Sequence, residues 1–131
     1  MRFSIAICFI LCMLSPTMQA QWADWERLPG PTGGPIESFA AVGGDIVAAP
    51  AGGAFYRSAD GGRTWQNIFE SEWTRNTALL HGTADEMLFA LGYNGVHRSS
   101  DHGDSWAECG IGEFAQYAAS SSDGTVLLGL R

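Results

Sequence analysis

Two aspartates sit in near-copies of one short string, Ser58-x-Asp60-x-Gly62-x-Thr64-Trp65 and Ser99-x-Asp101-x-Gly103-x-Ser105-Trp106. Carboxylates among glycines and hydroxyls invite two chemistries, calcium coordination and general acid catalysis. Calcium takes about six to eight oxygens, whereas each string offers one or two carboxylates and a few hydroxyls, so neither is read as a metal site. A structural role accounts better for the residue types. Gly62 and Gly103 permit the positive φ that a tight hairpin needs. Asp60 and Asp101 accept hydrogen bonds from turn amides, and Trp65 and Trp106 pack across the hairpin onto a neighbouring sheet. No catalytic residue, metal or cofactor is expected from these stretches.

A second constellation suits recognition. Glu72, Trp73, Arg75, Tyr93 and Asn94 combine aromatic faces with a cation and an amide, the groups that stack on and hydrogen-bond to a sugar or a peptide. The plainer alternative is that Trp73 packs its own loop and Arg75 pairs with Glu72 in solvent, where such a pair contributes little. Cys109 has no cysteine partner once the leader is removed. It is read as a small buried apolar residue rather than a reactive thiol.

The elements that carry these residues repeat. Ala54 to Trp65 matches Gly95 to Trp106 without a gap, 41 residues apart: Arg57 with Arg98, Ser58 with Ser99, Asp60 with Asp101, Gly62 with Gly103, Thr64 with Ser105. Tyr56 and His97 fall at equivalent positions, so neither reads as a unique catalytic residue. The spacing extends outwards. Ile46-Val47-Ala48-Ala49 aligns with Met87-Leu88-Phe89-Ala90 at 41, and the latter with Val126-Leu127-Leu128-Gly129 at 39. Trp25 to Leu28 resembles Trp65 to Ile68. Each unit reads as four short strands: Ser38 to Val42, Asp45 to Ala49, Ala54 to Ser58 and Thr64 to Phe69, then Thr77 to His81, Glu86 to Leu91, Val96 to Ser99 and Ser105 to Cys109. Even strands, a turn about every ten residues and no helical period indicate an all-β repeat. A parallel β-helix has shorter turns and fewer strands per unit.

The two strings resemble the Asp-box, or bacterial neuraminidase repeat, found in sialidases, sortilin-type receptors, xyloglucan-degrading glycosidases and photosystem assembly factors. The resemblance spans roughly residues 22 to 131 and implies an incomplete β-propeller. Its expected parts are a lone outer strand at 22–28, blades at 38–69 and 77–109, and a partial blade at 114–131. It also implies that the aspartates lie on the face opposite the ligand site. By alternation of strand direction, that ligand face would carry Pro50, Gly52 and Gly53, Glu70 to Asn76, Gly92 to Asn94 and Gly110 to Glu113. The sialidase catalytic set does not match: the Arg-Ile-Pro string is missing, and only Arg75 among the arginines of the mature chain is placed for a ligand.

The ends and the charge bound the function. Arg2, the apolar run from Ile5 to Leu14, Pro16 and Ala20 read as a signal peptide over 1–20, too short for the roughly 20 residues of a membrane-spanning helix. The expected product is secreted or periplasmic, without a membrane span after cleavage. Gln21 to Arg131 carries six arginines, no lysine and fourteen acids, a net of −8, which disfavours nucleic acid. A seven-bladed ring would need roughly 290 residues against 111 here, so further blades are expected beyond Arg131. The reading is a non-catalytic scaffold for a protein or glycan ligand. The alternative is the N-terminal piece of a glycosidase whose carboxylates lie mostly in other blades.

Overall fold

A computed structural model describes residues 27–131. The expected leader and the strand around Trp25 lie outside the described residues. Three antiparallel sheets follow one another along the chain. The first contains β1 (Ile36–Val42), β2 (Asp45–Pro50), β3 (Ala54–Ser58) and β4 (Gln66–Glu70), in that order. A 3₁₀ turn, Trp73–Asn76, leads to the second, with β5 (Thr77–Gly82), β6 (Leu88–Gly92), β7 (Gly95–Ser99) and β8 (Ala107–Glu108). The third pairs β9 (Ala115–Ser120) with β10 (Val126–Leu130). No helix among the described residues is long and apolar enough to cross a membrane.

Strand alternation explains how the sheets pack. In the first, Ser38, Ala40, Val42, Val47, Ala49 and Phe55 are buried, and most of them form one cluster with Leu80, Leu88 and Ala90 of the second sheet. Leu91 and Val96 turn to the other side, where they meet Ala115 and, with Leu79 and Phe89, pack on Ala118 and Leu128. Each seam is thus formed by opposite faces of successive sheets. Their first strands run close together: the Leu80 amide donates to Ser38 Oγ at 2.9 Å. A Cβ added to Gly82 would stand 2.0 Å from the Ala41 carbonyl oxygen, so this approach requires glycine.

Strand pairing corrects the alignment of the second strands. Ile46 pairs with Ser58 and Leu88 with Ser99, so Ile46 corresponds to Leu88, not Met87. The third unit moves likewise, because Gly82 pairs with Leu88 as Ser120 pairs with Val126. The second unit gains a residue in its first turn, Ala84 to Glu86 against Gly43-Gly44, and loses one in its next loop, Tyr93-Asn94 against Ala51 to Gly53. The two changes cancel before the hairpin, leaving Ser58 and Ser99 at their original spacing. A one-residue slip exchanges the two faces of a strand, and the corrected register restores like with like.

The fourth strands begin later than expected, at Gln66 and Ala107 rather than Thr64 and Ser105, and Cys109 falls outside β8. Thr64 and Ser105 are held by the aspartates of their turns. The indole N–H groups of Trp65 and Trp106 bend back to the Gly62 and Gly103 carbonyls. These residues are therefore committed to the turn before strand pairing starts.

Candidate binding face

The aspartates are saturated from within their own hairpins. Asp60 Oδ1 accepts from the Arg63 amide at 3.0 Å, the Thr64 amide at 2.9 Å and Ser58 Oγ at 2.8 Å. Its Oδ2 takes the Thr64 hydroxyl at 2.6 Å. Ser58 Oγ in turn receives the Gly62 amide at 2.8 Å. The second hairpin repeats this with Ser99, Asp101, Gly103 and Ser105: 2.7 Å from Ser99 Oγ, 2.9 Å from the Ser105 amide and 2.5 Å from its hydroxyl to Asp101, and 2.8 Å from the Gly103 amide to Ser99 Oγ. The Thr64 hydroxyl and amide, with Ser58, hold Asp60 down at about 2. Burial alone would raise Asp101, but the bonds from Ser105 and Ser99 outweigh it and keep its carboxyl below the ordinary value. A group held ionised by donors is poorly suited to deliver a proton.

The same device recurs where sequence reasoning had not marked it. Thr83 Oγ1 donates to Asp85 and accepts the Met87 amide at 3.1 Å. Ser121 Oγ donates to Asp123, whose carboxylate takes the Thr125 amide at 2.9 Å and is likewise held at about 2, mainly by the Ser121 hydroxyl. These hairpins join the first and second strands of their units. The Thr-x-Asp and Ser-x-Asp spacing was the available signal.

The recognition residues separate. Trp73 stacks face to face on His97, centroids 3.9 Å apart and 1° from parallel, and meets the edges of Phe55 and Trp106 at 5.7 Å each. It wedges the seam between the first two sheets. His97 beneath it is shifted down by burial, with Glu108 opposing. Burial, too, pushes the Cys109 thiol up, away from reactivity. Asn94 Nδ2 donates to the Trp73 carbonyl at 3.4 Å, and the crease below has no room for a water molecule. Glu72 is exposed, and no ion pair joins it to Arg75 among the described residues. The Arg75 stem instead lies over Gly53, where an added Cβ would come within 2.2 Å of its Cγ.

Tyr93 behaves differently. It is 69% exposed, yet its ring stacks on Phe114, centroids 4.3 Å apart and 15° from parallel. Phe114 follows the loop after β8, a partner not marked from the sequence because it lies 21 residues away. The pair stands beside the second sheet's seam with the third, and the Tyr93 amide is fixed to the Asn76 carbonyl at 3.2 Å.

On the hairpin side an ionic cluster bridges the first seam. Arg57 reaches Asp104 at 3.0 Å and Asp45 at 3.8 Å, while His102 Nδ1 lies 3.1 Å from Asp45. Together with Trp65 these side chains border an open cleft of about 480 Å³. The opposing charges are already paired with one another. Among the described residues, no group of three or more His, Cys, Asp or Glu is arranged to hold a metal.

Successive four-stranded sheets stacked face on face, with their first strands adjacent, have a counterpart among solved structures. The chain is similar to the structure titled "YCF48 bound to D1 peptide", with 15% identity and a TM-score of 0.53 over 71% of this chain. The chain folds as part of a β-propeller. The likeness is one of fold, and the match takes in 32% of that propeller's chain. No protein-family model matches the sequence. No curated protein matches it either.

Proposed function

We propose that this chain is an exported, non-catalytic Asp-box propeller segment that binds an extended peptide on its loop face. The leader over 1–20 supplies the export, and the two serine-aspartate hairpins supply the blade corners. The Tyr93–Phe114 stack carries the reading. It leaves an aromatic surface exposed where stacking needs no conformational ordering of the receptor, since both rings are already held by one another. Asn94 follows Tyr93 in the same turn, and Arg75 lies in the 3₁₀ turn before β5. The carboxylates of Asp60 and Asp101 are occupied by turn donors. The similar propeller named above was solved with a peptide, which lends support to a polypeptide rather than a glycan.

A peptide array probed with the protein, followed by titration of the best-binding peptides against Tyr93→Ala and Arg75→Ala, tests this. Binding should fall about tenfold for Tyr93→Ala, as expected for losing one aromatic anchor, and less for Arg75→Ala. Glycan binding with no peptide binding, or peptide binding indifferent to both substitutions, would overturn the reading.

A further inference from the structure

The loops that join successive sheets repeat a dipeptide. Glu72-Trp73 lies between the first and second sheets and Glu113-Phe114 between the second and third, again 41 residues apart. Each aromatic ring is held by stacking, Trp73 on His97 and Phe114 on Tyr93. Both glutamates are exposed.

The turn Tyr93-Asn94, between β6 and β7, is fixed from both of these loops. On one side the Tyr93 amide donates to the Asn76 carbonyl at 3.2 Å, and Asn94 Nδ2 to the Trp73 carbonyl at 3.4 Å. On the other the Phe114 ring lies on Tyr93, and the Val96 amide donates to the Ile111 carbonyl at 3.2 Å. The exposed phenol ring is therefore flanked by two loops, each with a glutamate next to the aromatic residue that makes the contact. All of these groups sit between sheets that the chain itself supplies.

The carboxylates on the two sides of the molecule differ in what they already bind. On the hairpin side Asp60, Asp101 and Asp123 take donors from their own turns, and Asp45 and Asp104 take Arg57. On the loop side none of Glu70, Glu72 and Glu113 joins an ion pair among the described residues. The cation of these loops is Arg75, whose stem lies away over Gly53. An aromatic face bordered by carboxylates without counter-ions suits a cationic side chain. The ring quadrupole attracts the charge, the carboxylates supply charge-assisted hydrogen bonds, and a chain of net charge −7 draws basic segments from a distance.

We propose that the peptide taken on this face is basic: a lysine or arginine side chain lies on Tyr93, and its charge is met by Glu113 and Glu72. This rests on the peptide reading above and adds the class of peptide to it. Arg75 donates to the peptide's main-chain carbonyls, which need a donor whatever the side chains are.

Scoring the bound sequences of the peptide array by residue type separates the two readings. Lysine and arginine should be enriched among them. Bound peptides without that enrichment would overturn the basic class and leave peptide binding standing, whereas no bound peptide would overturn both. The best basic peptide is then titrated beside its copy with glutamine at each basic position. Glu113→Gln and Glu72→Gln should each weaken binding of the basic peptide about twofold to fivefold, as for losing one exposed ion pair. Neither should change binding of the glutamine copy. Glu86→Gln removes the same charge on the hairpin side, where Glu86 faces His102, and should leave binding unchanged. Both loop glutamates are exposed, so folding should persist, as checked by circular dichroism. No loss at Glu113→Gln, or a loss equalled by Glu86→Gln, would overturn the proposal, the second by reducing it to general attraction to an acidic protein.

Discussion

Trp65 and Trp106 end the same hairpin, and their indoles make the same bond to the Gly62 and Gly103 carbonyls, at 3.1 and 2.9 Å. Their surroundings differ. Trp106 meets Phe55 at 5.2 Å, Trp73 at 5.7 Å and Phe69 at 6.3 Å, all from the preceding sheet or the loop after it. Trp65 meets Phe39 of its own sheet at 6.2 Å, shares its indole N–H with the Pro29 carbonyl at 3.0 Å, and borders both an apolar cleft and the ionic one. The repeat thus dictates the hairpin, whose serine and aspartate bonds all lie within eight residues, but not the packing of its tryptophan, which in the second hairpin is supplied by the preceding sheet.

The contrast is broken most severely at the tryptophans. Trp106→Ala should cost about 3 to 5 kcal/mol, because it empties a space walled by three aromatic rings. Trp65→Ala should cost roughly 1 to 2, since less apolar surface is covered there. Urea denaturation of dilute protein measures both. The glycines follow in the same order. Gly103→Ala must displace Ile68 and strain a φ of 96°, whereas Gly62→Ala, at φ 91°, meets Leu28 less closely. Gly103→Ala should lower Tm more.

The aspartates should show no such asymmetry, because their partners are local. Asp60→Ala and Asp101→Ala should each lower Tm by a few degrees, on the order expected for losing a capping side chain. The smallest effect is that of acid. Asp60, Asp101 and Asp123 are all held below their ordinary value by hydrogen bonds. The folded state therefore binds protons less readily than the unfolded chain. Their contribution is complete above about pH 4 and is lost as pH falls towards 2. Thermal melts from pH 6 down to 2 should show Tm falling only in the last two units, and less so in Asp60→Asn.

The hairpins were legible in the sequence because serine, aspartate, glycine and tryptophan act on one another over a few residues. The second strands were legible as strands but not in register. One residue added before β6 and one removed after it leave the spacing of the strings intact, so a gap-free alignment conceals the slip. The direction of Trp73 was not legible, because it depends on His97 and Trp106, which approach it only when the sheets stack. Phe114 and the cluster of Asp45, Arg57, His102 and Asp104 were hidden for the same reason. Each is an encounter between units, whereas periodicity describes what is within one.

The stacking of one sheet on the next is tested most directly by a double-mutant cycle between Phe55 and Trp106, using Phe55→Leu and Trp106→Phe to limit disruption. Edge-on rings at 5.2 Å should give a coupling of about 0.5 to 1.5 kcal/mol, and the same cycle between Phe55 and Trp65 should give none beyond error. Additive losses for Phe55 and Trp106 would contradict the placing of the second hairpin against the first sheet.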